Sequence, residues 1–325
     1  MRPRQVRATQ HVPSPCLLYR WLLLSGVTLV LVVLPWYTSG YVARIVINAC
    51  RNLVLALSFD IVGGYAGYIN LGHAAFFGMG AYTFGICVNA GVPVLLAGGA
   101  AVLLTSLFAG LISYPFFRLR GPYYALATFG LLKLCEELAL TWSGLTGGSG
   151  GLSVVWPENL KRTYFLNLGL CVGTFGIVWL IARSRLGLGL VSIREDEQVA
   201  RAFGVSVFWH KCAALVISAA LAAALGPIYL SDRLYINPGE MFGLETALMP
   251  ITMAILGGSG LLIGPVVGVA FLSLVQEGLW TQLGVLRLAC LGLVLAAVGL
   301  FMPGGLVRLP PVYTCLRRWG LVQEW

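Results

Sequence analysis

Long apolar runs, parted only by short polar or glycine-bearing breaks, occupy this chain from Leu17 almost to its end. About 20 apolar residues cross a bilayer as an α-helix. On that ruler the sequence predicts ten spans, over residues 17–36, 42–60, 70–90, 92–115, 121–142, 164–182, 210–231, 244–258, 263–280 and 285–303. Hydrocarbon offers no partner to a backbone N–H or C=O, so spanning runs of this length are helical. The expected fold class is all-α, a polytopic transmembrane helical bundle with broken or re-entrant segments. The 244–258 run is short, holds Pro250 and ends at Gly257-Gly258-Ser259-Gly260, which suits a broken segment packed inside protein. Composition agrees, with 58% hydrophobic and 10% charged residues and a mean hydropathy of +0.87, whereas soluble domains carry roughly a quarter charged residues. The 41 glycines suit membrane helices that must approach closely.

The net charge of +9 reads as topology. Lysine and arginine cluster on one set of alternate loops (Arg2, Arg4, Arg7, Arg20, Arg118, Arg120, Arg183, Arg185, Arg194, Arg201, Lys211, Arg308, Arg317, Arg318) and thin out on the other (Arg44, Lys161, Arg162, Arg233, Arg287). Positive loops stay inside. Both termini and the 183–211 loop are therefore expected to be cytoplasmic, and the 143–163 and 232–243 loops to lie outside. Cations placed in the flanks of apolar runs do not form the basic, aromatic-laced patch of a nucleic-acid binder. Residues 1–15 read as a disordered basic tail, 16–308 as the membrane domain and 309–325 as a cytoplasmic tail. Leu17 to Trp36 is long enough to span and has no clear A-x-A site after it, so it reads as a span and not as a cleaved leader.

Charges inside apolar runs cost about 2.5–3.5 kcal/mol each on insertion scales and are normally paired or face water. Arg51 sits mid-run in the second span. Lys133 and Glu136 are one helical turn apart in the fifth, so their side chains can meet; Glu137 points elsewhere. The pair is either a structural ion pair or part of a lining. The eight cysteines are scattered, most of them in apolar runs, and read as small core residues and not as metal ligands or disulfides.

Two glycine-rich breaks interrupt the spans. Asp60 to Gly80 carries Gly63, Gly64, Gly67, Asn70, Gly72 and His73, and Leu256 to Gly268 carries Gly257 and Gly258. Broken backbone at membrane depth is tolerated where it lines a cavity or lies within protein. His73 reads either as a satisfied packing residue or as a ligand, and the glycines serve close packing as readily as a path. The breaks could be counterparts in an inverted repeat. No GxxxxGK[ST], HExxH or GxSxG is present, and His11, His73 and His210 do not converge, so neither an enzyme, a metal site nor a cofactor is expected.

The longest polar interruption is Arg183 to Lys211. Ser192-Ile193-Arg194-Glu195 fits a capping box that opens a short helix, with Glu195, Asp196 and Glu197 in its first turn, where the helix dipole favours negative charge. Glu197 and Arg201 can pair at i,i+4, Gly204 supplies the stop, and Val199, Ala200 and Phe203 form a narrow apolar stripe.

Four stretches together resemble one family: LALSFDIVGGYAGYINLGHAAFFGMGAY (55–82), RGPYYALATFGLL with LTGGSGGL (120–152), GLGLVSIREDEQVARAFGV with KCAALVISAALAAALGPIYL (187–230) and ILGGSGLLIGPVVGVAF (255–271). They are similar to permease subunits of branched-chain amino acid ABC importers, in the LivM-type branch. The resemblance implies a multi-pass subunit of the cell inner membrane. Its partners would be a second homologous permease, two cytoplasmic ABC ATPase subunits and an extracytoplasmic solute-binding protein. It also implies a coupling helix over 192–204, with Ser192, Glu195, Asp196, Glu197, Ala200, Arg201, Phe203 and Gly204 at the ATPase contact; Glu197, Ala200 and Gly204 resemble the family's Glu-Ala-Ala-Gly pattern. Gly64, Gly67, Asn70, Gly72, His73, Lys133, Glu136, Gly257 and Gly258 are the candidate translocation path. One departure stands out: Lys133 and Glu136 carry the opposite order of signs from the family's Glu then Arg. An ion-coupled secondary transporter of a small polar solute, a urea or amide ABC permease and a non-transporting scaffold are the competing readings.

Overall fold

The computed structural model describes residues 32–37, 40–155, 159–283, 292–293 and 305–308. Both predicted tails lie outside the described residues. So do most of the predicted spans 17–36 and 285–303. The helices follow one another as α1 (Gly40–Asp60, extended by a π-helical turn over Ile61–Tyr65), α2 (His73–Asn89), α3 (Val94–Phe116), α4 (Pro122–Thr141), α5 (Leu160–Arg183), α6 (Arg185–Glu195), α7 (Glu197–Ala202), α8 (Val207–Arg233), α9 (Pro238–Met241), α10 (Leu244–Gly257) and α11 (Gly264–Leu283).

Five helical stretches among the described residues are long and apolar enough to cross a membrane: Gly40–Tyr65, Val94–Phe116, Leu160–Arg183, Val207–Arg233 and Pro238–Gly257. The other predicted spans in the described region are helical too, but weaker by that measure. α2 has 17 residues, and α4 carries Lys133, Glu136 and Glu137. α10 alone has 14 residues, about 21 Å at ~1.5 Å per residue, against a hydrocarbon core of about 30 Å. Its Met249 to Ala254 are all buried, as expected of a short segment enclosed by protein.

The core forms where α8 runs between α2 and α3, while α1 packs on α5 and α10 folds back on α11. Glycine sets the first of these crossings. A Cβ on Gly80 would land on the Ala223 backbone and one on Gly226 on the Ala81 amide, so the α2 and α8 backbones touch. Such proximity gains dispersion contacts that larger residues would forfeit in a medium without a hydrophobic drive between helices. The α10–α11 hairpin is equally tight, with Gly268 against the Met253 carbonyl.

Two loops predicted for the same side do meet. β1 (Leu152–Ser153) and β2 (Tyr235–Ile236) pair antiparallel, Leu152 opposite Ile236, and the Val154 amide donates to the Leu234 carbonyl at 2.9 Å. Cys50, Cys135 and Cys171 are buried and Cys87 and Cys212 half-buried, all of them free thiols.

Gly226→Val should overpack the α2–α8 crossing by about 1–3 kcal/mol and lower the melting temperature of the detergent-solubilised chain. Gly98→Ala, whose added Cβ meets nothing, should not lower it in the same thermal assay.

Candidate coupling site and the two glycine-rich turns

The 183–211 loop holds two helices where one was expected. Ser184 caps α6, its hydroxyl accepting from the Gly187 amide at 3.3 Å. α6 then continues through the expected start point, because Leu190 and Ile193 extend its buried face. Ser192 is consequently interior to α6, where its hydroxyl donates to the Leu188 carbonyl at 2.9 Å, and the predicted Ser192–Glu195 capping box does not form. The cap lies four residues later. Asp196 turns extended (φ −156°, ψ 115°), and its carboxylate accepts from the amides of Gln198 (2.7 Å) and Val199 (3.0 Å). Glu195 thus ends α6, and only Glu197 falls in the first turn of α7.

The stop is where the sequence puts it. Gly204 has φ +84°, its amide donates to the Arg201 carbonyl and the Val205 amide to that of Ala200, both at 3.0 Å. That double closure is the Schellman motif, which satisfies two orphan carbonyls and needs a left-handed residue at Gly204. The apolar stripe splits. Ala200 is buried with Ile193 and Val207, whereas Val199 (49% exposed) and Phe203 (84% exposed) share the outer face. Residues 199 and 203 are four apart, and Ala200 is about 100° round the helix from Val199.

Glu197 anchors α7. One carboxylate oxygen accepts from Lys211 Nζ at 2.9 Å and from the Tyr68 hydroxyl at 2.9 Å. The other lies 3.4 Å from Arg120 and 3.3 Å from Arg201, so the expected Glu197–Arg201 pair is present. Lys211 also donates to the Tyr68 hydroxyl at 2.6 Å, and its side chain is only 2% exposed. Burial pushes the Glu197 carboxyl up; the hydrogen bonds from Lys211 and Tyr68 and the charges of Lys211 and Arg120 outweigh it and hold the group below its ordinary value.

The two glycine-rich breaks meet beside this anchor. α1 widens into the π-turn just as the first break begins, a distortion common at functional positions. The Asp60 carboxylate, fully buried, accepts from the Gly260 amide at 3.0 and 3.1 Å through its two oxygens. Gly64 has to be glycine here, since a Cβ would strike Asp60 and the Gly260 amide. Arg194 reaches in from α6 and donates to the Gly64 carbonyl at 2.6 Å, its aliphatic stem lying over Gly67.

Further along the first break, Asn70 accepts from the Gly72 amide at 3.0 Å, and the Leu71 amide donates to Thr128 of α4 at 3.1 Å. His73 is buried, with Nε2 2.9 Å from the Ser58 hydroxyl and Nδ1 3.5 Å from that of Ser218. In the second break Gly257 is pressed on the Gly264 carbonyl, and Gly258 has φ +122°.

Gly64 and Gly67 thus lie at the junction with Gly260 and Arg194, Gly257 and Gly258 within the close-packed second break, Asn70 and Gly72 beside Thr128 of α4, and His73 between Ser58 and Ser218. Lys133 and Glu136 do not join them. They pair at 2.6 Å on the outward side of α4, whose opposite side, with Tyr124 and Thr128, is buried. Sequence reasoning did not single out Tyr68, Arg194, Lys211 or Gly260 as site residues. A lysine within the first turns of an apolar helix was the available signal for Lys211, because membrane-side lysines need a partner.

Glu197→Gln leaves the Lys211 ammonium without its carboxylate and should destabilise the chain by about 3–5 kcal/mol, most of which Lys211→Met in the same chain should restore; melting temperatures of the single and double variants measure both. Since the Glu197 pKa is depressed on folding, its contribution is complete above the unfolded carboxylate pKa and is lost as pH falls through the folded one. Hydrogen exchange of the α7 amides, corrected for intrinsic rates, should stay protected at neutral pH and lose protection only below the usual glutamate range.

The chain matches the family described as branched-chain amino acid transport system / permease component over residues 41–303. It is similar to the high-affinity branched-chain amino acid transport system permease protein LivM of Salmonella typhimurium (24% identical, covering 94% of this chain and 81% of that protein). The LivM of Escherichia coli is 26% identical, covering 88% and 74%. The autoinducer 2 import system permease protein LsrC of Salmonella paratyphi B is 27% identical, covering 62% and 60%. No solved structure matches the chain. A chain matched over nearly all its described helices, including both glycine-rich breaks and the α6–α7 loop, belongs to the branched-chain amino acid transport permease family.

Proposed function

We propose that the chain is the membrane subunit of an ATP-driven importer of a branched-chain or related amino acid, and that α7 is the element through which separate ATPase subunits move it. The observation that carries this reading is the division of α7 into two sides. Its inner side is fixed to the membrane helices by Glu197, Lys211 and Tyr68, while Val199 and Phe203 stand exposed on the outer one. A partner seated on those two apolar side chains would act on a short rod tied at once to α1's exit, to α4's entry and to α8. Motion transmitted this way requires only that the ATPase pair bind α7 differently in its open and closed forms.

The lysine and arginine distribution supports a cytoplasmic placement of both termini and of the 183–211 loop, and the apolar runs support a membrane domain over 16–308 between two tails. The glycine-rich breaks are the proposed lining of the path, and Lys133 with Glu136, paired on the outward side of α4, is the structural ion pair of the two readings the sequence allowed. A second permease and an extracytoplasmic binding protein complete the assembly. The amino-acid reading is favoured over an autoinducer 2 cargo because the LivM relatives cover far more of this chain than LsrC does. The chain itself supplies no chemical step in this reading.

Reconstituted with a partner permease, two ATPases and a binding protein, the chain should import leucine only with ATP, and ionophores should leave uptake intact. Phe203→Ala should weaken ATPase attachment and lower uptake several-fold without loss of membrane insertion. Gly204→Pro, which cannot adopt φ near +84°, should uncouple ATP hydrolysis from uptake. Labelling of an Arg201→Cys variant from the outer face would refute the arrangement.

A further inference from the structure

A cavity of about 600 Å³ lies at the end of α8 opposite Lys211, bounded by α1, α2, α8, α9, α10 and α11. Its size is that of small-molecule sites, roughly 300–1,000 Å³. Arg51 enters it from the middle of α1, on the same helix face as Asn48 one turn before, and Asn52 also lines it. The Arg51 guanidinium stands 5.3 Å from the centre of the Tyr229 ring, and Arg233 stands 5.9 Å from the same ring. Among the described residues neither arginine has a carboxylate in ion-pair contact or a hydrogen-bonding partner.

The carboxylates on the walls already have one partner each. Glu240 accepts from the Tyr229 hydroxyl at 2.5 Å, Glu277 accepts from Tyr41, and Glu245 has a partner of its own. A guanidinium at membrane depth is ordinarily paired. Two of them, held against one aromatic ring in a cavity with Glu240 and Asp232 near but no carboxylate in ion-pair contact, make a receptor for an anionic group, and the planar fork of arginine suits a carboxylate. The glutamates across the same space add acceptors for a cation, and Phe77 and Met249 supply apolar wall.

We infer that this cavity binds a zwitterionic α-amino acid, with Arg51 holding its carboxylate, its ammonium toward Glu240 and Glu277, and its side chain against Phe77 and Met249. The inference deepens the importer reading and rests on it for the transport step, though not for binding. It places a substrate-selective station inside one subunit, apart from the glycine-rich breaks.

The test uses the full chain carrying Asn48→Cys, an exposed position on the cavity wall, in vesicles of phosphatidylglycerol and phosphatidylcholine, labelled with a polar maleimide above the background of the unsubstituted chain. Leucine should slow labelling, and isoamylamine, which lacks the carboxylate, should not. Arg51→Gln should raise the half-protecting leucine concentration roughly 10–100-fold, the value of a charge-assisted hydrogen bond, and Arg51→Lys should raise it less. Equal protection by leucine and isoamylamine, or none by either, overturns the inference without recourse to any Arg51 variant. Protection present in phosphatidylethanolamine vesicles before leucine is added, and unchanged by it, assigns the cavity to a lipid headgroup and also overturns it. Leucine protection in a chain whose complete assembly shows no ATP-driven import sustains the binding site and refutes the importer reading; import without protection does the reverse.

Discussion

A lysine with almost no exposed surface, held by one carboxylate and one phenol, is the constraint on which the loop architecture depends. Lys211 stands within the first turns of α8, facing inward, and an ammonium there is tolerable only if an anion reaches it. Glu197 is that anion, and it belongs to α7. The need to satisfy a cation on a membrane helix therefore fixes where a six-residue helix sits, although so short a helix has little intrinsic stability. Asp196 and Gly204 make the helix possible by capping its ends. Glu197 gives it a place.

Close by, a second buried carboxylate joins distant parts of the chain. Asp60 ends α1, and its two oxygens take the amide of Gly260 from the break between α10 and α11. Arg194, at the end of α6, completes the junction through the Gly64 carbonyl. The absence of side chains at Gly64, Gly67 and Gly260 lets a backbone, a carboxylate and a guanidinium occupy one small volume. α6 and α7 are tied to the bundle at two places, through Lys211 to α8 and through Arg194 to the first break. A packed core of this kind deforms poorly in part and shifts between discrete arrangements more readily.

Charges at membrane depth sort into different solutions in this chain. Asp60 is satisfied by backbone, and Lys133 with Glu136 by each other on an outward helix side. Arg51 is cushioned on an aromatic ring in a cavity. The sequence marks Arg51, Lys133 and Glu136 as costly, because each interrupts an apolar run, whereas Asp60 stands where a run gives way to a glycine-rich break; the structure meets these charges with three different environments.

That contrast separates what was legible in the chain from what was not. The helical bundle, the approximate limits of its helices, the glycine stop at 204, the Glu197–Arg201 pair and the meeting of Lys133 with Glu136 all follow from local rules: apolar length, left-handed tolerance and the pitch of a helix. The capping box at Ser192 failed although it obeyed a local rule, because the buried side of α6 carried the helix past it and Asp196 met the next amides instead. The partnership of Lys211 with Glu197, of Asp60 with Gly260 and of Arg51 with Tyr229 joins residues on different elements, and no spacing encodes it. The sequence alone determined which groups could not be left bare in a membrane; the tertiary structure decided which partner each received, because only the packing of helices brings distant residues within reach of one another.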